Sequence, residues 1–184
     1  MALLQRSNAA QEDNQEIRVP FGDLRNSDGS IITGTASAGV YGIVSGGWGV
    51  GGTKLQGEAA SNNSKTSTTK FTFRVPQNYV AGTNLTIKPT ERVSTPANTT
   101  ASVDVQAYKS NENGGVSGSN LITTSAITHN SATWIEQSFT LTSALLSPGD
   151  ELDIYIRQVV NDAGGATGAK SELGGVIVAM STKM

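Results

Sequence analysis

The chain has 184 residues, enough for one domain that buries roughly 70% of the surface of its unfolded chain. It has no cysteine, which excludes a disulfide framework, a thiolate nucleophile and cysteine-ligated metal sites. Thirteen basic and fifteen acidic residues give a net charge of -2, which argues against a broad basic surface for nucleic acid or anionic lipid. No apolar run approaches the roughly 20 residues of a membrane span, and the first residues lack the pattern of a signal peptide. We therefore expect a soluble protein made in the cytoplasm.

The first 30 residues are mostly polar, with a short apolar patch at Ile17, Val19 and Phe21. So polar a segment buries little of its own surface. The sequence predicts an extended N-terminal arm over residues 1–30, followed by one domain over residues 31–184. The alternative is that the apolar patch belongs to the first strand of the domain itself.

Glycine is frequent in the next segment, residues 34–57, among apolar residues that include Trp48. Glycine at this density indicates bulges and tight turns. A phosphate-binding loop would need a following helix, and residues 53–65 have no helical pattern. Trp48 is expected to cover small residues at a sheet edge, to contact another subunit or to stack on a sugar.

Alternating apolar and polar residues dominate the rest of the chain and predict a series of strands. The predicted strands are Thr69–Val75, Leu85–Val93, Thr100–Lys109, Ala132–Thr142, Glu151–Val160 and Leu173–Thr182. Pro148 and Gly149 predict a type II turn before the fifth of these, because proline presets the second turn position and glycine accepts positive φ at the third. With strands from the glycine-rich segment, the total of eight or so indicates an all-β, antiparallel β-sandwich. Periodicity leaves open whether its strands connect as a jelly roll or as an immunoglobulin-like fold.

Candidate catalytic residues are few. His129 is the one histidine of the chain and lies in a polar turn, so we expect it on the surface. A glycosidase needs two carboxylates that face each other across a cleft. Asp150 is instead predicted to be a turn residue, and Glu151 and Asp153 are predicted to lie together on one solvated face of a strand. The sequence predicts no enzyme, no cofactor and no metal, although the polar loops 111–115 and 161–165 offer oxygen ligands for calcium.

Three stretches carry a resemblance: residues 71–87 (FTFRVPQNYVAGTNLTI), 102–108 (SVDVQAY) and 146–157 (LSPGDELDIYIR). In strand order and turn style, residues 68–182 resemble the small jelly-roll structural proteins of tailed bacteriophages, in particular head decoration or cement proteins. The resemblance implies a non-enzymatic virion protein, made in the host cytoplasm, that binds the outer surface of the capsid. It also implies the major capsid protein and a second and third copy of the chain as partners, in a homotrimer.

Residues that would contact the shell or a neighbouring subunit are predicted to be Ile17, Val19, Phe21 and Trp48. Apolar side chains on a polar arm otherwise have nothing to bury against.

The alternative function is a carbohydrate-binding or receptor-binding β-sandwich module, of a phage tail or a secreted protein, in which aromatic side chains stack on sugar rings. Alternation places Phe71, Phe73 and Phe139 in the core. The aromatic residues left as platform candidates are Trp48, Tyr41, Tyr79, Tyr108, Trp134 and Tyr155. Trp134 has the opposite parity to Phe139, so it is either half exposed or the register of this strand is shifted by one residue.

Overall fold

The structure, a computed structural model, describes residues 12–45, 52–95, 99–110, 119–142, 146–164 and 168–183. Within these ranges the chain is all β, with no α-helix and one short 3-10 turn at Phe21–Asp23. None of the described residues forms a helix that could cross a membrane.

The strands of the described chain run as follows: β1 (Glu12–Arg18), β2 (Arg25–Asn26), β3 (Gly39–Val40), β4 (Gly42–Val44), β5 (Lys54–Gln56), β6 (Ser64–Arg74), β7 (Leu85–Val93), β8 (Thr99–Ser110), β9 (Ile127–His129), β10 (Ile135–Glu136), β11 (Phe139–Leu141), β12 (Glu151–Asp162) and β13 (Ser171–Lys183).

Two sheets form a sandwich. Sheet A has the order β4-β5-β13-β7-β10, with β1 also paired to β13 and β11 also paired to β7; sheet B has the order β2-β6-β12-β8-β9, with β3 also paired to β6. All pairings are antiparallel except that of β3 with β6. The central four strands are thus β5-β13-β7-β11 in one sheet and β6-β12-β8-β9 in the other, and the chain crosses between sheets at most connections. This is the strand order of a jelly roll, which confirms the predicted all-β sandwich and settles its connectivity.

The core lies between the sheets and follows the alternation of the sequence. Leu152, Ile154 and Ile156 of β12 are fully buried, and so are Phe139 and Val178 from the opposite sheet. The predicted turn before β12 is also present. Gly149 has φ of +87°, and the amide of Asp150 donates to the carbonyl of Ser147 at 3.1 Å, as a type II turn requires.

The start of the described chain belongs to the sandwich. Residues 12–18 form β1, which pairs with β13 from Glu12 opposite Lys183 to Arg18 opposite Ile177. Val19 continues the contact, since its amide donates to the carbonyl of Val176. In the described part of segment 1–30, the residues before Val19 thus form the first strand of the domain itself, which was the alternative to an extended arm.

The predicted strand Ala132–Thr142 is interrupted. It forms β10 and β11, both paired with β7 in one continuous register, with a gap opposite Pro89. Proline has no amide hydrogen to donate to the ladder, although its carbonyl still accepts from the amide of Gln137. The register does not shift, so Phe139 points inward and Trp134 points outward.

His129 is buried, contrary to the expectation of a surface residue. It ends β9 and its Nε2 lies 3.2 Å from Oε2 of Glu91, whose side chain is fully buried between the sheets. That same Glu91 oxygen accepts a hydrogen bond from Gln158 at 2.7 Å, and Tyr41 donates to the other end of the Gln158 amide. Burial and the neighbouring Glu91 carboxylate raise the pKa of the Tyr41 hydroxyl well above its usual range, so it remains a donor. The polar residues around His129 in the sequence are typical of a surface turn, so its inward-facing position was not predicted.

Replacement of Gly57 by alanine should destabilise the sandwich. A Cβ there would lie 2.3 Å from the hydroxyl oxygens of both Ser67 and Ser171, which are buried between the sheets. We expect Gly57→Ala to lower the free energy of unfolding by about 1–3 kcal/mol, the usual cost of overpacking, as measured by urea denaturation. Gly52→Ala, where a Cβ meets nothing within 4 Å, is the matched control. Equal stability of the two variants would contradict this packing argument.

Candidate functional site

The outer face of sheet A carries an exposed indole. Trp134 lies one residue before β10 and is 40% exposed. A Cβ on Gly174 of β13 would lie 2.9, 3.1 and 3.2 Å from three consecutive atoms of its six-membered ring. Such nearly equal distances place Gly174 against the face of the ring and not against its edge. The guanidinium carbon of Arg92 is 4.5 Å from the ring centre, within the range of a cation–π contact.

Beside the indole, a row of polar residues crosses three strands. Arg92 of β7 stands opposite Glu172 of β13, which stands opposite Gln56 of β5. We call these three residues the cross-strand row. Arg92 Nε donates to Glu172 Oε2 at 2.6 Å, and Gln56 Nε2 donates to Glu172 Oε1 at 2.7 Å. Lys54 Nζ binds the same Oε1 at 2.5 Å.

These donors keep Glu172 ionised. Its side chain is only 1% exposed, and burial by itself raises its pKa. The hydrogen bonds from Lys54, Arg92 and Gln56 outweigh burial, and the net effect is a pKa below the ordinary value. The carboxylate thus fixes the positions of three donor side chains on an otherwise solvated sheet face.

At the end of the row lies a cleft of about 250 Å³. Its lining comes from residues 34–36, from β4 and from the segment that follows β5. Gln56 belongs both to the row and to the cleft, and its Oε1 accepts from Lys170 Nζ at 3.2 Å. The cleft therefore adjoins the cross-strand row at Gln56.

The outer face of sheet B carries a different group of side chains. The rings of Tyr108 and Tyr155 meet edge to face, with their centres 6.0 Å apart. Lys70 Nζ lies 5.7 Å from the centre of the Tyr155 ring, and Arg157 pairs with Asp104 at 3.1 Å. This patch lies on the opposite side of the molecule from Trp134.

The predicted contact residues have these positions. Val19 is buried, and Ile17 and Phe21 are partly buried and pack against the core. Contacts of these residues with a shell or another subunit stay a prediction. Trp48 lies outside the described residues.

Two of the platform candidates are excluded by burial, since Tyr41 and Tyr79 are 1% and 2% exposed. Trp134, Tyr108 and Tyr155 keep exposed or half-exposed positions on the two outer faces. Asp150 is a turn residue as predicted, accepting from the amide of Ser147 at 2.7 Å. Among the described residues no group of histidine and acidic side chains could hold a metal ion. Loop 111–115 lies outside the described residues, as does residue 165.

The sequence did not predict the cross-strand row, because its members are far apart in the chain. Each of them by itself is typical of a polar residue on the solvent-exposed face of a strand. One signal was available. Glu172 precedes Leu173 and two glycines at the start of a predicted buried strand, and the strand register shifts at those glycines, between Leu173 and Gly175.

Comparison with known proteins gives only distant similarities. No family model matches the chain, and no curated protein sequence matches it. Among solved structures, a xylan-binding module, CBM15, has a TM-score of 0.48 at 13% identity, over 94% of this chain and 100% of its own. The CBM22-1 xylan-binding domain of Paenibacillus barcinonensis Xyn10C has a TM-score of 0.43 at 12% identity, and the match covers 82% of this chain and 86% of that domain. A structure of infectious bursal disease virus has a TM-score of 0.43 at 9% identity, and the match covers 94% of this chain and 32% of the viral chain. With TM-scores below 0.5, no function is taken from these similarities.

Removal of the Glu172 charge should destabilise the protein in a pH-dependent way. A carboxyl group whose pKa is lowered on folding contributes stability above its unfolded pKa and loses it as the pH falls through the folded value. We expect Glu172→Gln to lower the free energy of unfolding by about 1–3 kcal/mol at pH near 7. The difference from the wild type should shrink below a pH of about 4.

Urea denaturation at both pH values measures this difference, with Glu136→Gln as control on the same sheet face, where the side chain is 44% exposed. A Glu172→Gln effect that is the same at both pH values would mean that the charge contributes nothing.

Proposed function

We propose that the protein is a non-catalytic carbohydrate-binding module, and that its ligand lies on the outer face of sheet A. The observation that carries the proposal is Trp134, a large aromatic side chain that stays 40% exposed while one face of its ring rests on Gly174. An aromatic side chain held in one orientation on an exposed face offers a platform on which a ring-shaped ligand can pack.

Sugar rings suit such a surface. The C–H bonds on one side of a pyranose form an apolar patch with slight positive charge, which packs on the negatively polarised face of an indole. The hydroxyl groups around the ring edge need hydrogen-bond partners in the same plane. The cross-strand row supplies an arginine and an amide next to the indole, which is the combination of apolar platform and few polar groups found in small-ligand sites.

The row is also fixed before a ligand arrives. Arg92 contacts both the Trp134 ring and Glu172, and Glu172 in turn holds Gln56 and Lys54. Side chains that are already ordered lose little conformational entropy on binding, so more of the contact energy appears as affinity.

The same arrangement favours binding over cleavage. A glycosidase needs one carboxyl group that stays protonated as the general acid, with a raised pKa. The pKa of Glu172 is lowered, and both of its oxygens already accept charged or amide donors. It serves as a structural carboxylate.

The second candidate function is the capsid decoration role implied by the sequence resemblance. The observation that favours it is the outer face of sheet B, where Tyr108 and Tyr155 pack edge to face beside Lys70 and Arg157. Tyrosine and arginine are enriched in protein–protein interfaces. The partner for this face is a capsid shell or a neighbouring copy in a homotrimer. A sugar bound on the outer face of sheet A would leave the outer face of sheet B free for that partner.

Replacement of Trp134 should abolish sugar binding. We expect Trp134→Ala to bind oligosaccharides at least tenfold more weakly than the wild type, because aromatic side chains at the centre of a site commonly contribute over 1.4 kcal/mol. A glycan array identifies the ligand and isothermal titration calorimetry measures its affinity. Tyr155→Ala, on the opposite face, is the control and should bind as the wild type does.

A paired set of glycine variants tests the geometry of the same platform. Gly174→Ala pushes a methyl group against the ring and should weaken binding, whereas Gly175→Ala meets nothing within 4 Å and should not. If the wild type binds no sugar on the array, the carbohydrate proposal is wrong.

For the decoration role, light scattering should find a trimer, and the protein should pellet with empty heads of a tailed phage. Tyr155→Ala and Tyr108→Ala should reduce co-sedimentation because they remove ring contacts at the centre of the proposed interface. Trp134→Ala is now the control and should pellet normally. A monomer that stays in the supernatant with every head preparation tried would contradict this role.

A further inference from the structure

The cross-strand row and the lysines bound to it carry more positive than negative charge. Glu172 is the one carboxylate of this group, and it binds Lys54 at 2.5 Å and Arg92 at 2.6 Å. Lys170 adds a third cation, since its Nζ donates to Gln56, which itself donates to Glu172. One negative charge thus faces three positive charges, on a chain whose net charge is -2. The excess of positive charge is therefore local to this end of sheet A.

Neighbouring charged residues do not cancel this excess. Glu58, which lines the adjoining cleft, is already paired with Lys65 at 2.9 Å. Further along the outer face of sheet A, Lys88 has carboxylates of its own at 2.6 and 3.9 Å. Residues 46–51 and 165–167, which lie outside the described residues and precede β5 and β13 in the chain, contain no charged residue.

Arg92 is the cation next to the indole. Its hydrogen bond to Glu172 uses Nε, and its two terminal nitrogens have no hydrogen-bond partner in the described part of the chain. The side chain is 30% exposed, and its guanidinium carbon lies 4.5 Å from the centre of the Trp134 ring. The contacts with Glu172 and Trp134 hold the guanidinium in place. A guanidinium held in this way offers a carboxylate two parallel hydrogen bonds from its terminal nitrogens.

Lys170 places a second available cation at the other end of the row. Its contact with Gln56 uses one of the three donor hydrogens of the ammonium group. Between β7, which holds Arg92, and β5, which holds Gln56, there are two inter-strand spacings, or roughly 10 Å. At about the Debye length, the Lys170 charge adds a weaker attraction to an anion bound at Arg92.

A neutral sugar would leave these charges uncompensated. Covering a charged side chain with a neutral ligand removes water without supplying an opposite charge, whereas an anionic group supplies both an acceptor and the compensating charge. A uronic acid has a pyranose ring with the C–H groups that pack on an aromatic side chain. Its carboxylate is attached to that ring. A uronic acid at Trp134 would therefore bring its carboxylate to Arg92, the side chain that contacts the same indole.

Building on the proposed function, we infer that the ligand is an acidic carbohydrate and that a uronic acid carboxylate of this ligand binds the terminal nitrogens of Arg92. The ring of the same sugar packs at Trp134. Lys170 strengthens binding through its charge, and Glu172 holds Arg92 in position.

The test begins with the whole protein on a glycan array that carries uronic acid glycans beside their neutral and sulfated counterparts. The wild type should bind the uronic acid glycans most strongly. Calorimetric titration then compares the best of these with its methyl ester, which has the same sugar ring without the charge. We expect the ester to bind about tenfold more weakly, because it loses charge-assisted hydrogen bonds. The difference should shrink as the sodium chloride concentration is raised.

Arg92→Lys keeps the positive charge but removes the two parallel donors. It should bring the affinities for the acid and the ester within about threefold of each other. Because both ligands have the same ring, the ratio of their affinities does not report a general weakening of the platform at Trp134.

Lys170→Gln should weaken binding of the acid about twofold and leave binding of the ester unchanged. The matched control is Lys70→Gln, which removes the same charge beside Tyr155 on the outer face of sheet B. It should bind both ligands as the wild type does.

Three results overturn the inference while leaving the proposed function intact: equal affinity of the wild type for the acid and its ester, an acid-to-ester ratio in Arg92→Lys equal to that of the wild type, or an array on which neutral or sulfated glycans bind and uronic acid glycans do not. Absence of binding to every glycan would instead overturn the proposed function itself.

Discussion

Hydrophobic contact between the inner faces of the two sheets is the interaction on which the rest of the structure depends. The core is one large cluster to which both sheets contribute alternate residues, with a smaller second cluster that includes Val93 and Val160. Each fully buried aliphatic side chain contributes about 1.5–3 kcal/mol. The two central strands, β12 and β13, are paired on both edges, and a shift of either by one residue would turn the inward side chains of that strand outward. The core thereby fixes the register, and the register fixes which residues reach the two outer faces.

Two buried carboxylates on sheet A illustrate what that register decides. Glu91 and Arg92 are neighbours on β7, yet Glu91 points into the core and Arg92 points toward the outer face. On the inside, Glu91 shares one oxygen between Gln158 and the nearby imidazole of His129, and its other oxygen lacks a hydrogen-bond partner among the described residues. On the outside, Glu172 has a donor on each oxygen. The inner group adds a polar constraint to the core, whereas the outer group organises a surface.

The jelly roll accommodates both functions considered for the protein, because viral capsid and lectin domains are each built on it. Function must therefore be argued from the faces. The face of sheet A combines an exposed indole, an ordered row of donors and a cleft, and the proposal of a sugar site rests on these three features. The face of sheet B presents tyrosine, arginine and lysine side chains, and the proposal of a protein interface rests on them. Since the faces are separate, a variant of one serves as a control for the other.

The sequence by itself determined the all-β class, most of the long strands, the type II turn at Pro148 and Gly149 and the inward residues of β12. These depend on short-range alternation and turn chemistry, which are visible within ten residues of chain. It also indicated the exposure of Trp134, through the parity conflict with Phe139. Tertiary structure alone decided that residues 12–18 pair with β13, that His129 is buried beside Glu91, and that Arg92, Glu172, Gln56 and the Glu58 cleft form one surface. Those contacts join residues that are distant in sequence, and they depend on strand pairing, which alternation along a single strand does not specify.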